Sequence, residues 1–148
     1  MLPIGIGVFT ILALFAVLLF KAQGQRRQLE QHSITAEALR ALMVADREVL
    51  LFDVREPLDL LADAERIPGS SRLAPKQIEE NADIVPRDKD IVVYCTCPSD
   101  KTSRALTRRA LAKNFLRFKF LKGGIAAWKQ KGYPVEPYRE TFHLDTAT

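Results

Sequence analysis

A run of four apolar residues that stops abruptly at a cysteine, Ile91-Val92-Val93-Tyr94-Cys95, constrains this chain more than any other feature. A short continuous apolar run reads as a buried strand. Small, polar and helix-opening residues follow, Thr96-Cys97-Pro98-Ser99-Asp100, and an amphipathic helix is predicted over residues 103–113. A cysteine between the C-terminal end of a strand and the N-terminus of a helix sits where backbone N–H groups converge. Such an environment favours thiolate over thiol. The pattern predicts a strand–loop–helix unit built to hold a reactive sulfur.

The rest of the chain alternates in the same way. Thr35 is placed to cap a helix whose Leu39, Leu42 and Met43 share a face. Val49-Leu50-Leu51-Phe52 reads as a buried parallel strand ending at Asp53. Pro57 suits the first turn of a short helix, and Ile67-Pro68-Gly69 is a turn signal. Leu116, Phe118 and Phe120 alternate with Arg117 and Lys119, which predicts a strand with one wetter face, near a sheet edge. Gly123-Gly124 breaks the chain before a short helix through Trp128 that Gly132 stops. Trp128 and Tyr133 are expected to pack against the sheet. Strands alternating with helices predict a mainly parallel α/β sheet. Ligands of such sheets bind outside the carboxyl ends of the strands, where Asp53-Val54-Arg55 and Cys95 both fall.

Residues 2–20 carry no charge. At ~1.5 Å per residue, a helix of that length covers most of a hydrocarbon core about 30 Å thick. A transmembrane helix is therefore expected over residues 1–21. A polar, basic juxtamembrane linker or helix extension follows over 22–33, then a folded domain over 34–136 and a tail without periodicity over 137–148. A cleaved signal peptide is the rival reading, with Ala22-Gln23-Gly24 as its small-residue cleavage site. No Lys or Arg precedes the apolar run, however, so the charged n-region of such peptides is missing. Lys21, Arg26 and Arg27 follow it instead, and the positive-inside rule puts the C-terminal side in the cytoplasm. The expected localisation is a single-pass membrane protein with a cytoplasmic domain.

With 148 residues there is room for one domain plus appendages. The net charge of +4 is mild and spread along the chain. Arg104, Arg108, Arg109 and Lys113 cluster on one predicted helix, but aromatic interleaving is absent. A solvated helix face is expected rather than a nucleic-acid patch. Two cysteines one residue apart cannot make a disulfide-dense scaffold. His32 and His143 lie far from that pair, so no four-ligand zinc site is visible and no metal or cofactor is expected.

Several motifs occur in one order along the chain. They are Leu51-Phe52-Asp53-Val54-Arg55-Glu56, Arg66-Ile67-Pro68-Gly69-Ser70, Val93-Tyr94-Cys95, Leu121-Lys122-Gly123-Gly124-Ile125-Ala126-Ala127-Trp128 and Gly132-Tyr133-Pro134-Val135. In this the chain resembles the rhodanese-homology family over roughly residues 34–136, with Arg66 where histidine is usual. The resemblance implies a three-layer α/β fold around a mostly parallel five-stranded sheet. It also implies sulfurtransferase activity of the thiosulfate sulfurtransferase type, through a persulfide on Cys95. The loop of Thr96, Cys97, Pro98, Ser99, Asp100, Lys101 and Thr102 would be the cradle, its backbone N–H groups (Pro98 has none) holding the persulfide or the incoming oxyanion. Asp53 and Arg55 match family residues that brace this loop; a purely structural ion pair is the plainer account of them. The commoner family pattern has an arginine next to the cysteine, then a glycine. Here Thr96, Cys97 and Pro98 stand there, the loop is about one residue longer, and Asp100 adds a negative charge that opposes anion binding. These departures favour a persulfide donor over thiosulfate.

Transfer of a sulfane sulfur needs a thiolate, because a thiol is a poor nucleophile. The expected partners are a small sulfur-donor anion and a thiol or cyanide acceptor, with a protein cysteine as one form of that acceptor. Lys101 adds positive charge near the donor. Three rivals share the fold. Related phosphatases and arsenate reductases need an arginine six positions after the cysteine to clamp an oxyanion bidentately, and that position is Lys101. Cys97 as a second thiol, attacking a Cys95 persulfide, would make a persulfide reductase or redox sensor; otherwise it is a small loop residue. A membrane-tethered, non-catalytic binding module is the third, but inactive members of the family typically lack the cysteine.

Overall fold

The computed structural model describes residues 3–96 and 100–139. It divides into two compact units, Met1–Gln31 and His32–Thr148. The first is a helix, α1 (Pro3–Gln31), of 29 residues. At ~1.5 Å per residue it is about 43 Å long. Its segment Gly7–Gln31 is long and apolar enough to cross a membrane, and its large side chains, among them Phe9, Leu14 and Phe20, are exposed. Lys21 does not end the helix, which runs on through Arg26 and Arg27.

The second unit is an α/β domain. Its elements are β1 (Ser33–Ile34), α2 (Ala36–Val44), β2 (Val49–Asp53), α3 (Pro57–Ala62), β3 (Glu65–Arg66), β4 (Ser71–Arg72), α4 (Pro75–Glu80), a 3-10 turn (Ala82–Ile84), β5 (Asp90–Tyr94), α5 (Lys101–Ala112), β6 (Phe118–Leu121), α6 (Gly124–Gln130) and β7 (Glu136–Pro137). Thr35 caps α2 as its position predicts, its hydroxyl accepting from the Ala38 amide at 3.2 Å. Five strands form one sheet in the order β1-β6-β5-β2-β4, with every pair parallel. Parallel sheets are covered on both faces, and the middle strand reflects this. Ile91, Val92, Val93 and Tyr94 are all buried, which is why β5 is apolar without alternation.

One face of the sheet carries a core of Leu39, Leu51, Ile67, Val92, Tyr94, Leu121, Ile125 and Trp128, against which Leu42, Met43 and Tyr133 pack. Trp128 and Tyr133 meet edge to face at 5.0 Å between centroids, and the Trp128 indole N–H donates to the Pro134 carbonyl at 2.8 Å. These contacts pin the chain after α6 to the core.

Two expectations are corrected. The strand around Phe118 and Phe120 is not at the sheet edge. It lies between β1 and β5, with Ser33 opposite Phe120, and Leu116 falls outside it, exposed. A two-residue strand such as β1 has no period to read, so the sequence hid the neighbour that covers this edge. The segment from residue 137 also starts inside the fold. Pro137 pairs with Glu65 in a small antiparallel sheet of β3 and β7, closed by an Arg66–Glu136 ion pair at 2.7 Å. The remainder of the predicted tail, from residue 140, lies outside the described residues.

Candidate active site

The register of β2 against β5 sets Asp53 opposite Tyr94, so Asp53 and Cys95 emerge side by side at the carboxyl end of the sheet. Asp53 and Arg55 are both fully buried. The Arg55 Nε donates to both Asp53 carboxylate oxygens at 2.9 and 3.0 Å, and Nη2 donates to Oδ2 at 2.6 Å. The remaining guanidinium donors reach the carbonyls of Asp63 at 2.9 Å and Glu65 at 2.7 Å. A planar fork suits this arrangement, since it satisfies a carboxylate and two carbonyls from one rigid group. Burial alone lowers the affinity of the guanidinium for its proton. The hydrogen bond and charge of Asp53 outweigh that, so Arg55 is held above the ordinary arginine value.

Tyr94 completes the network. Its hydroxyl donates to Asp53 Oδ2 at 3.1 Å, lies 2.9 Å from the Ser70 hydroxyl and accepts from the Ile67 amide at 3.2 Å. Burial, with the Asp53 charge beside it, pushes the phenol well above its usual value, so it stays a neutral donor. One carboxylate thereby joins the ends of β2 and β5 to the Ile67-Pro68-Gly69-Ser70 turn. Arg72 adds a further tie by donating to the Arg55 carbonyl.

Cys95 follows directly. The residue is buried, only 2% exposed. Its backbone is clamped on both sides. The Tyr94 carbonyl accepts from the Val54 amide at 3.0 Å, and the Cys95 carbonyl accepts from the Ile125 amide at 3.0 Å. That second bond requires Gly124, whose φ is +56° and whose ideal Cβ would lie 2.0 Å from the Cys95 oxygen. Asp100, at φ 53°, reverses the chain into α5. Its side chain does not cap that helix; Oδ2 accepts from the Gly123 amide at 2.8 Å. The carboxylate is buried, and one of its oxygens is engaged by the turn between β6 and α6. The backbone N–H groups at the start of α5 therefore have no carboxylate cap from Asp100, and helix N-termini of this kind attract anions.

Of the predicted cradle, Thr96 is half-buried, Thr102 is half-buried on the first turn of α5, and Lys101 is exposed there. Cys97, Pro98 and Ser99 lie outside the described residues. Sequence reasoning missed Ser103. It is fully buried within the first turn of α5, and among the described residues neither its Oγ nor the Thr96 Oγ1 has a hydrogen-bond partner. The signal was available, since a small hydroxyl residue in the first turn of a helix is a natural donor to a group at that helix's N-terminus. It also missed Tyr94 and Gly124 as parts of the site.

Residues 35–131 match the model of the rhodanese-like domain. The chain belongs to that family. A curated relative named sulfurtransferase, from Allochromatium vinosum, is 30% identical over 108 residues, covering 70% of this chain and 94% of its own. Among solved structures, a rhodanese-related protein from Thermoplasma volcanium is 28% identical, with a TM-score of 0.56 over 71% of this chain and 97% of its own. A protein from Rhodopseudomonas palustris described as a possible tyrosine phosphatase shares the fold at 22% identity, with a TM-score of 0.63 over 77% of this chain and 89% of its own. The relatives from Allochromatium and Thermoplasma consist almost wholly of the matched segment, so a rhodanese-like domain of this size folds as an independent unit.

Proposed function

We propose that this rhodanese-like domain is a sulfurtransferase that carries a sulfane sulfur on Cys95. The observation that carries the reading is the fixed backbone of Cys95 at the end of β5, in the loop that leads into α5, whose first amides take no side-chain cap from Asp100. The relative named sulfurtransferase, matched over nearly its whole length, supports the same class of chemistry.

Two displacements make the cycle. The Cys95 thiolate attacks the outer sulfur of thiosulfate; a new S–S bond forms, the old one breaks, and sulfite leaves with its electron pair. A persulfide donor reacts in the same way and releases its own thiolate. The terminal sulfur of the Cys95 persulfide is then attacked by cyanide or a thiolate, which departs as thiocyanate or a new persulfide and regenerates the Cys95 thiolate. Both leaving groups are stable anions, so no metal or cofactor is needed. The backbone N–H groups at the start of α5, with the Ser103 hydroxyl, hold the negative charge in each state. Lys101, at the sixth position after the cysteine, is a point charge rather than a bidentate fork, which favours sulfur over phosphoryl chemistry.

Mass spectrometry of the purified protein after thiosulfate or glutathione persulfide treatment is expected to show one added sulfur on Cys95, discharged by cyanide. A wild type that stays unmodified with both donors, or a Cys95→Ala variant that keeps the adduct, rules the mechanism out. We further propose that α1 anchors the domain to a membrane with the domain on the cytoplasmic side. The protein is then expected to stay with the membrane pellet in alkaline carbonate; its release into the supernatant would exclude an anchor.

A further inference from the structure

One turn of the chain holds both ends of the cysteine loop. At the start of the loop the Cys95 carbonyl accepts from the Ile125 amide at 3.0 Å, and at its finish the Asp100 carboxylate accepts from the Gly123 amide at 2.8 Å. Two loop residues five apart are thus fastened to two residues at the junction of β6 and α6. The Asp100 carbonyl also accepts from the Arg104 amide at 2.8 Å, which opens the hydrogen bonding of α5. Asp100 is therefore where the loop, the helix it leads into and the β6–α6 turn are joined.

The backbone at this position does not by itself call for a carboxylate. Asp100 is left-handed, with φ 53° and ψ 26°, a conformation that glycine adopts more readily and asparagine as readily. Nor does the side chain cap α5. Asp100 is buried, and burying a carboxylate is costly unless hydrogen bonds answer it. What the side chain does is hold the Gly123 amide, and a hydrogen bond to an ionised acceptor is about twice as strong as a neutral one. The backbone N–H groups that would hold the charge of the sulfur begin α5, directly after this residue. Their aim depends on where the loop ends, and a shift of ~1 Å near a reacting group costs on the order of a hundredfold in rate. We propose, on the reading of Cys95 as the sulfur carrier, that Asp100 is a positioning residue: by tying the end of the loop to Gly123 it keeps the first amides of α5 aimed at the sulfur and so keeps the thiol reactive.

The donor is a backbone amide, so the test varies the acceptor. Asp100→Asn keeps an oxygen for the Gly123 amide and loses the charge. Asp100→Gly loses both, but adopts the left-handed conformation without strain and is expected to stay folded, which urea denaturation checks. Two rates are followed at Cys95 by peptide mass spectrometry of the purified full chain: alkylation by iodoacetamide as a function of pH, and sulfur loading from thiosulfate or glutathione persulfide. Asp100→Gly is expected to load sulfur at least about tenfold more slowly, with its alkylation midpoint raised toward the ~8.5 of a free cysteine. Asp100→Asn is expected to load within about threefold of wild type, with a midpoint equal to or below that of wild type, because a negative charge has gone and the tie has stayed. A carboxylate that acts through its charge alone lowers the midpoint in both variants, and that result would overturn the assignment. So would a folded Asp100→Gly with wild-type loading and midpoint, the behaviour of a residue that only stabilises the domain. Asp100→Asn taken alone is also decisive, since slow loading or a raised midpoint there would mean that the acceptor oxygen is not what matters. Alkylation needs no sulfur transfer. A wild type that takes up no sulfur while the midpoints keep the expected order would therefore defeat the sulfurtransferase reading and leave the role of the Asp100–Gly123 tie in thiol reactivity standing.

Discussion

Gly124→Ala is expected to remove sulfur transfer almost entirely while leaving a destabilised but folded domain. The alanine methyl would stand 2.0 Å from the Cys95 carbonyl oxygen and 3.0 Å from its carbon. Both are backbone atoms at the end of a central strand, so no side chain can swing aside. Relief requires the β5 end and the α6 start to separate, which breaks the 3.0 Å bond from the Ile125 amide to Cys95. The φ of +56° adds its own penalty for a residue with a Cβ. Left-handed strain of ~1–2 kcal/mol and overpacking of ~1–3 kcal/mol together give roughly 2–5 kcal/mol of lost stability. The effect on rate is larger in kind, because a displacement of ~1 Å at a reacting group costs on the order of a hundredfold. Gly69 supplies the control. Its φ is +76°, but nothing lies within 4 Å of its ideal Cβ. Gly69→Ala is therefore expected to show only the backbone strain and to keep its activity. Urea denaturation and thiocyanate formation measure both variants. If the two behave alike, contact with Cys95 is not what Gly124 provides.

That contact also marks where sequence reasoning stops. The apolar run 91–94, the Thr35 cap and the Pro57 helix start were legible because each is a local signal, decided by residues within one turn or one strand. Gly123-Gly124 was legible only as a break. Its purpose is a backbone approach to Cys95, a contact between residues 29 apart in the chain, and no period in the sequence reports it. Asp100 was legible as a charge beside the loop, but not as the partner of the Gly123 amide, to which only the fold brings it. Tyr94 read as one more core residue of an apolar strand; its hydroxyl mattered only after the parallel register set it against Asp53. The candidate site residues were proposed from motif order, which records the fold without explaining it.

Arg55→Ala is expected to be the most destabilising single substitution in the domain. Its guanidinium is fully buried, and it answers the Asp53 carboxylate and the carbonyls of Asp63 and Glu65 together. Among the described residues, truncation leaves a buried carboxylate with only the Tyr94 hydroxyl and the residue 55 amide to solvate it. Removing one partner of a buried pair costs about 3–5 kcal/mol, a large share of the ~5–15 kcal/mol that holds a typical domain together. The asymmetry can be tested directly. In Asp53→Asn with Arg55→Met, no charge is stranded, so the double variant is expected to be more stable than Arg55→Ala even though it retains less of the native network. Arg55→Lys keeps the charge but cannot fork, and it should fall between Arg55→Ala and wild type. Chemical denaturation of the set, together with sulfur loading of Cys95, separates two roles. A pair that only stabilises predicts that the double variant, once folded, still charges its cysteine at the wild-type rate. A pair that also positions the loop predicts slow charging in a folded protein, because Asp53 reaches Cys95 through the hydroxyl of its neighbour Tyr94. A loss below about 1 kcal/mol in Arg55→Ala, the range of an exposed ion pair, would contradict both, since it would mean the carboxylate finds water where the structure buries it.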